Sequence, residues 1–238
     1  MTLLASMRWP EVDAGVVLVP VGSLEQHGPA LGLGTDALIA TQVTRRAAAR
    51  LAGDGSGFLV APTVPYGASG EHEDFPGTIS IGHEALHLLL VELVRSATRW
   101  AGGVVLVNGH GGNVDSLVSA VVQLRGEGRA VAWTSCRARG ADAHAGRAET
   151  SLLLALAPDG VAQERLVPGC TAPVATLMPR LRAEGVRAVS PSGVLGDPTT
   201  ATAGAGRRIL GEMVERLVAE LSSLEVGPHG RLTLRDGA

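Results

Sequence analysis

The chain has 238 residues, 45% of them hydrophobic and 3% aromatic, with a formal net charge of −3. That is enough apolar material for one sizeable core in a single domain over 1–238, and an acidic balance without any Lys/Arg cluster argues against nucleic acid as a partner. No apolar run reaches the roughly 18 residues of a membrane span, and the opening stretch MTLLASMRWPEVDAG lacks the basic-then-apolar pattern of a signal peptide. A cytoplasmic protein is therefore expected.

In chain order, VVLVPVG (16–22) is β-branched and ends in glycine, as a buried parallel strand does. Residues 36–51 read as a helix with Thr35 as its cap. FLVAPTVPYG (58–67) reads as a second strand, and 83–100 as a helix with apolar positions at 86, 89, 90, 93, 94 and 97. VVLVNG (104–109) is a third strand, 114–125 a third helix and AVAWTS (130–135) a fourth strand. A short helix over 148–156 and a long one over 199–222 follow, and 225–238 is expected to be a loose tail. Strand–helix alternation implies an α/β fold with a mainly parallel sheet covered on both faces. Cys136 and Cys170 fit no metal spacing and are expected to be free thiols. All the basic residues are arginines, which base composition explains more simply than ligand recognition does.

In open α/β sheets, ligands gather beyond the carboxyl ends of the strands. Those loops carry Glu25, His27, Asp36, His72, His110, His144 and Glu149, including four of the seven histidines. In an extended E-Q-H segment, residues 25 and 27 project to one side. Glycines flank His110 in NGHGGN and free the backbone to present its imidazole at a turn. Two histidines and three carboxylates without sulfur suit zinc, iron(II), manganese or cobalt. An aspartate can bridge two such ions, which together can clamp a hydroxide and polarise a carbonyl. His144 is placed to hand a proton to a departing amine. The 69–78 loop, SGEHEDFPGT, has the look of a pocket lining, with His72 near the substrate rather than among the ligands.

One competing motif needs weighing. HEALH (83–87) has the spacing of a helical zinc-protease site. LLLVEL follows it, no third ligand stands at a suitable distance, and apolar positions commit that helix to the core. It is read as a helix face without metal.

VPVGSLEQHGPALGLGTD, GEHEDFPGTIS, VNGHGGN, DAHAGRAETS and GVLGDPTTATAGAG resemble the creatininase family, in order and along nearly the whole chain. The resemblance implies a three-layer α/β sandwich assembled as a homo-oligomer. It implies two divalent cations per subunit, zinc or iron(II), with manganese also compatible. Glu25, His27, Asp36, His110 and Glu149 match the family's ligands, with Asp36 bridging, and His144 matches its catalytic histidine. Creatininase itself carries a glutamate two residues after the NGH histidine, where this chain has Gly112. The resemblance is strongest to the branch that serves mycofactocin biosynthesis. Members of that branch are peptidases that cut a C-terminal Val-Tyr-derived dipeptide from a modified ribosomal precursor peptide. The alternatives are another amidohydrolase of the family, acting on creatinine or a formylaminopyrimidine nucleotide, and a non-catalytic scaffold of the modification pathway.

Overall fold

A computed structural model describes residues 2–52, 57–138 and 140–234. Five strands form one sheet, β1 (Thr2–Leu3), β2 (Val16–Val21), β3 (Phe58–Val60), β4 (Gly103–Asn108) and β5 (Val131–Ser135), in the order β1-β3-β2-β4-β5. Every pairing is parallel. Among the described residues there are six helices, α1 (Thr35–Leu51), α2 (Gly82–Ala97), α3 (Val114–Gly126), α4 (Arg147–Leu156), α5 (Val174–Val189) and α6 (Ala203–Ser223), and all but α5 cover the sheet.

Alternation along the strands divides the core in two. Leu18, Val60, Val105 and Val107 pack with α1, α4 and α6 on one face. Val17, Val19, Leu59, Val104 and Leu106 pack with α2 and α3 on the other. The apolar, β-branched strand sequences follow from this burial on both faces. The three-layer sandwich is the expected one. Strand order reverses between β2 and β4, and a parallel sheet opens a crevice beyond its carboxyl ends at such a point. At that point α1 comes unusually close to β4. A Cβ on Gly109 would lie 2.6 Å from Asp36 O, so only glycine lets the first turn of α1 seat there.

Several boundaries differ from the sequence reading. β3 ends at Val60 because Pro62 and Pro65 offer no N–H for a ladder. The chain still follows β2 through single bonds such as Val64 N to Pro20 O at 2.9 Å. Thr35 is the first residue of α1 rather than its cap, and its hydroxyl donates to Gly32 O at 2.7 Å. Helix α5 was not expected, because Pro179 lies within it and Gly185 interrupts it at φ 76. It packs Leu181 and Val186 against Phe75 and Leu195, outside the sandwich.

The tail expected to be loose over 225–238 is packed as far as residue 234. Leu232 N donates to Trp133 O at 2.8 Å and Trp133 Nε1 donates to His229 O at 3.0 Å. Leu232 is buried and the Arg231 guanidinium lies over the Trp133 ring, so this segment closes the outer edge of β5. Residues 235–238 lie outside the described set. Cys136 and Cys170 are free thiols, and burial pushes the Cys136 thiol up to about 12. No described helix is long and apolar enough to cross a membrane.

Candidate metal centre

Beyond the ends of β2 and β4, the loop after β2 delivers Glu25 and His27, the first turn of α1 delivers Asp36 and the turn after β4 delivers His110. All four side chains are buried. The loop before α4 and the first turn of α4 add His144 and Glu149. Asp142 anchors that approach by accepting from Arg147 N and Ala148 N at the helix start. A turn with Ala145 at φ 52 then brings Ala145 N to Glu149 Oε2 at 2.6 Å.

The donors converge around Asp36. Its Oδ1 lies 3.2 Å from His27 Nε2 and its Oδ2 lies 3.3 Å from His110 Nδ1. Glu25 Oε1 lies 3.1 Å from the same His110 nitrogen, and Glu149 Oε2 lies 3.8 Å from His27 Nε2. The cluster thus has two halves that share one aspartate, with one of its oxygens facing each histidine.

Proton positions in the histidines fit a cation. His27 Nδ1 donates to Glu25 O at 3.1 Å, which turns Nε2 toward the carboxylates. His110 Nε2 faces Ala68 O at 3.2 Å, which turns Nδ1 toward them. Metal-binding histidines are commonly fixed by such a carbonyl on the nitrogen away from the ion. Two buried carboxylate oxygens, Glu25 Oε1 and Asp36 Oδ2, have no hydrogen-bond partner. Both lie close to His110 Nδ1, which is aligned for a hydrogen bond to neither. Buried unpaired carboxylate oxygens are costly unless a cation answers them. Among the described residues, metal-competent groups include Glu25–His27–Asp36 and His27–His144–Glu149.

The electrostatics agree. Burial alone would push protons off His27, yet the Asp36 carboxylate outweighs it and raises that ring to about 10. Burial acts the same way on His110, but the Glu25 and Asp36 carboxylates raise it well above its ordinary value. Glu25 is held well below the usual carboxylate range, since the attraction of His110 and the other histidines overcomes burial. Burial lifts Glu149 to about 7, an effect moderated by solvent because its side chain is 24% exposed. Without an ion, protons on histidine offset the carboxylates, and a divalent cation would take their place.

One sequence expectation, that for His72, meets a different setting. His72 is buried rather than set out on an open loop. The short turn Gly70–His72 directs its ring inward, buried, with Nε2 3.4 Å from Glu25 Oε1. It also joins Glu25 and His144 in a further metal-competent group. His83 and His87 stand apart from the cluster and tie α2 to α3: His83 Nδ1 meets Ser116 Oγ at 3.0 Å, and His87 meets Ser119 Oγ and Gln123 Oε1.

Sequence reasoning passed over Gln26, Ser69 and Glu71. Ser69 Oγ donates to Glu25 Oε2 at 2.6 Å, leaving Oε1 for the centre of the cluster. Glu71 Oε1 lies 3.5 Å from His110 Nε2. A Cβ on Gly112 would fall 2.6 Å from that Glu71 oxygen and 2.4 Å from His110 Nε2, so residue 112 can contribute no carboxylate of its own. Gln26 carried a signal that was available: it stands between two candidate ligands in an extended segment.

Residues 5–221 match the family described as "Creatininase: Creatinine amidohydrolase". The chain is 55% identical over 229 residues to a "Mycofactocin precursor peptide peptidase" of Mycobacterium ulcerans, covering 94% of this chain and 90% of that protein. It is 32% identical over 245 residues to the creatinine amidohydrolase of Pseudomonas putida, covering 87% and 91%. Among solved structures, one titled "Creatininase Mn" superposes with a TM-score of 0.76 at 28% identity, covering 94% of this chain and 98% of that one. A zinc–zinc form of a mutant creatininase superposes equally, at 29% identity over 93% and 97%.

Proposed function

Because the chain belongs to the creatininase family, we propose that it is a metal-dependent peptidase that removes the C-terminal Val-Tyr-derived dipeptide from the modified mycofactocin precursor peptide. The observation that carries this over creatinine hydrolysis is the gap in likeness, 55% identity to a peptidase of that name against 32% to a creatinine amidohydrolase. The same reading makes the substrate a ribosomal peptide and the enzyme a homo-oligomer.

In this reading Glu25, His27, Asp36, His110 and Glu149 would hold two divalent cations, with Asp36 the residue common to both halves of the cluster. Oxygen and nitrogen donors without sulfur accept zinc, iron(II) or manganese. Cations bound there supply Lewis acidity and bring the pKa of water to about 7. The chain's own part is proton management. His144 is buried beside the cluster, its Nδ1 3.7 Å from Glu25 Oε1. Burial, reinforced by the positive His27, keeps its ring well below the ordinary value and hence neutral. A neutral imidazole can take the proton that water releases as its oxygen joins the acyl carbon. It can then return that proton to the departing amine nitrogen as the C–N bond breaks. His72, packed against Glu25 and His144, is read as lying near the substrate rather than among the ligands.

Mass spectrometry of the modified precursor peptide before and after incubation with the metal-loaded protein tests the reading. Loss of the dipeptide mass is expected. An unchanged peptide together with turnover of creatinine or a formylaminopyrimidine nucleotide would replace the peptidase with another amidohydrolase. Purified protein that holds no metal and is not rescued by added metal would favour a scaffold.

A further inference from the structure

Gln26 lies between Glu25 and His27 and is 5% exposed. Its side chain points away from the carboxylates into the gap between His72, His144 and the 190–193 turn. Gly28 N donates to Gln26 Oε1 at 2.8 Å, which fixes which end of the amide is oxygen. The amide nitrogen Nε2 then lies 2.8 Å from His72 Nδ1, 3.0 Å from His144 Nε2 and 3.0 Å from Gly193 O. The seat is tightly shaped. A Cβ on Gly193 would fall 1.9 Å from Gln26 Oε1, and Gly193 sits at φ 80.

From this geometry we infer that Gln26 is a positioning residue that sets the tautomers of both non-ligand histidines, so that His144 turns a bare Nδ1 toward the carboxylate cluster. Donors are fewer here than the acceptors around them. An amide nitrogen has two N–H groups and no lone pair to offer. Three acceptors compete for them: His72 Nδ1, Gly193 O and His144 Nε2. Among the described residues no other donor reaches His72 Nδ1 or Gly193 O. His144 Nε2 has a second neighbour, the backbone carbonyl of the same glutamine, Gln26 O, at 2.9 Å. A carbonyl only accepts, so His144 Nε2 carries the proton and donates it there. Both N–H groups of Gln26 are then free for His72 Nδ1 and Gly193 O. Only this arrangement answers all the acceptors around the Gln26 amide, and buried polar groups are rarely left unpaired.

The consequences follow at stated atoms. His72 has its proton on Nε2, 3.4 Å from Glu25 Oε1. His144 has its lone pair on Nδ1, 3.7 Å from the same oxygen. The two rings lie 4.5 Å apart, and one residue orients both, His72 through its side-chain amide and His144 through its backbone carbonyl. This rests on the proposed role of His144 only where it touches rate; the proton positions stand independently of it.

The test is two-bond proton–nitrogen NMR of the zinc-loaded protein labelled with 15N-histidine, with His72 and His144 assigned by single substitution. The wild-type protein is expected to show both rings neutral and protonated on Nε2. In Gln26→Glu the carboxylate can only accept, so His72 should move its proton to Nδ1 while His144 keeps its own on Nε2. Zinc content should not change, and kcat should fall about 10–100-fold, the usual size for loss of an outer-shell partner. A proton on His144 Nδ1 in the wild type overturns the inference without need of any variant. So does a Gln26→Glu protein whose His72 pattern is unchanged. If Gln26→Glu fails to fold, Gln26→Met, which neither donates nor accepts strongly, should release His72 into a mixture of tautomers; a His72 still wholly on Nε2 counts against the inference. A wild-type protein with the expected tautomers that leaves the peptide intact refutes the peptidase reading and not this one.

Discussion

The α2–α3 surface and the strand-end cluster both concentrate histidine, and they use it in opposite ways. His83 and His87 have a helical spacing that is well known for binding zinc, yet His83 commits its Nδ1 and His87 both of its ring nitrogens to side chains of α3. His27 and His110 come from unrelated stretches of chain, with no spacing to relate them, and each keeps one nitrogen turned toward buried carboxylates. Beside the first pair every partner is neutral: Ser116 is buried, and Ser119 and Gln123 are exposed. Beside the second pair two carboxylate oxygens are buried without a hydrogen bond. Metal competence is decided by unanswered negative charge in a dry place, and residue spacing is only one way of arranging it.

The sharpest way to break that contrast is to remove the shared carboxylate. Asp36→Ala should empty both halves of the cluster and reduce peptidase activity to background, read by metal analysis and peptide turnover. Retained metal would show that the halves do not depend on a common aspartate. His144→Ala comes next: metal content should be kept while kcat falls about 10²–10⁴-fold, the usual cost of losing a proton-transfer group. Loss of metal there would move His144 into the ligand set.

The two regions should also differ in their response to pH. With no metal bound, the His27 proton is held up to about 10 in the folded chain, against about 6.5 when unfolded. Its contribution is therefore fully present below pH 6.5 and lost as pH rises through 10. Stability of the chelated protein should drop by roughly 1.4 kcal/mol per pH unit across that window, with His110 acting in the same direction. The metal-loaded protein should gain affinity over the same range, because binding displaces those protons. Thermal melts with and without chelator, from pH 6.5 to 10, check both slopes. The smallest effect is expected of His83→Ala combined with His87→Ala: unchanged metal content and activity, and a loss of about 1 kcal/mol for each hydrogen-bonded link.

Much of this was legible in the chain. Val/Leu-rich strands ending in glycine imply the parallel sheet, and the carboxyl ends of those strands are where the cluster lies. Helix α5 was hidden because Pro179 and Gly185 break its pattern, and tertiary contact with Phe75 and Leu195 holds it nonetheless. The order in residues 225–234 was hidden because it depends on an edge of β5 that no local pattern displays. His72 could be assigned to a loop but not to a direction, since a three-residue turn decides which way its ring faces. Gln26 was overlooked because its importance lies in four partners, three of them distant in sequence.

The donors of the cluster come from loops that only the β2–β4 pairing and the docking of α1 and α4 bring together. No short segment holds more than part of the set, so the unfolded chain offers a cation only fragments of a site. Binding is thereby reserved for molecules that have already closed their longest loops, the slowest steps in folding a parallel sheet. By mass action a cation then draws the folding equilibrium toward the finished chain. Availability of metal during biosynthesis becomes a determinant of how much protein accumulates, separately from how fast each molecule turns over.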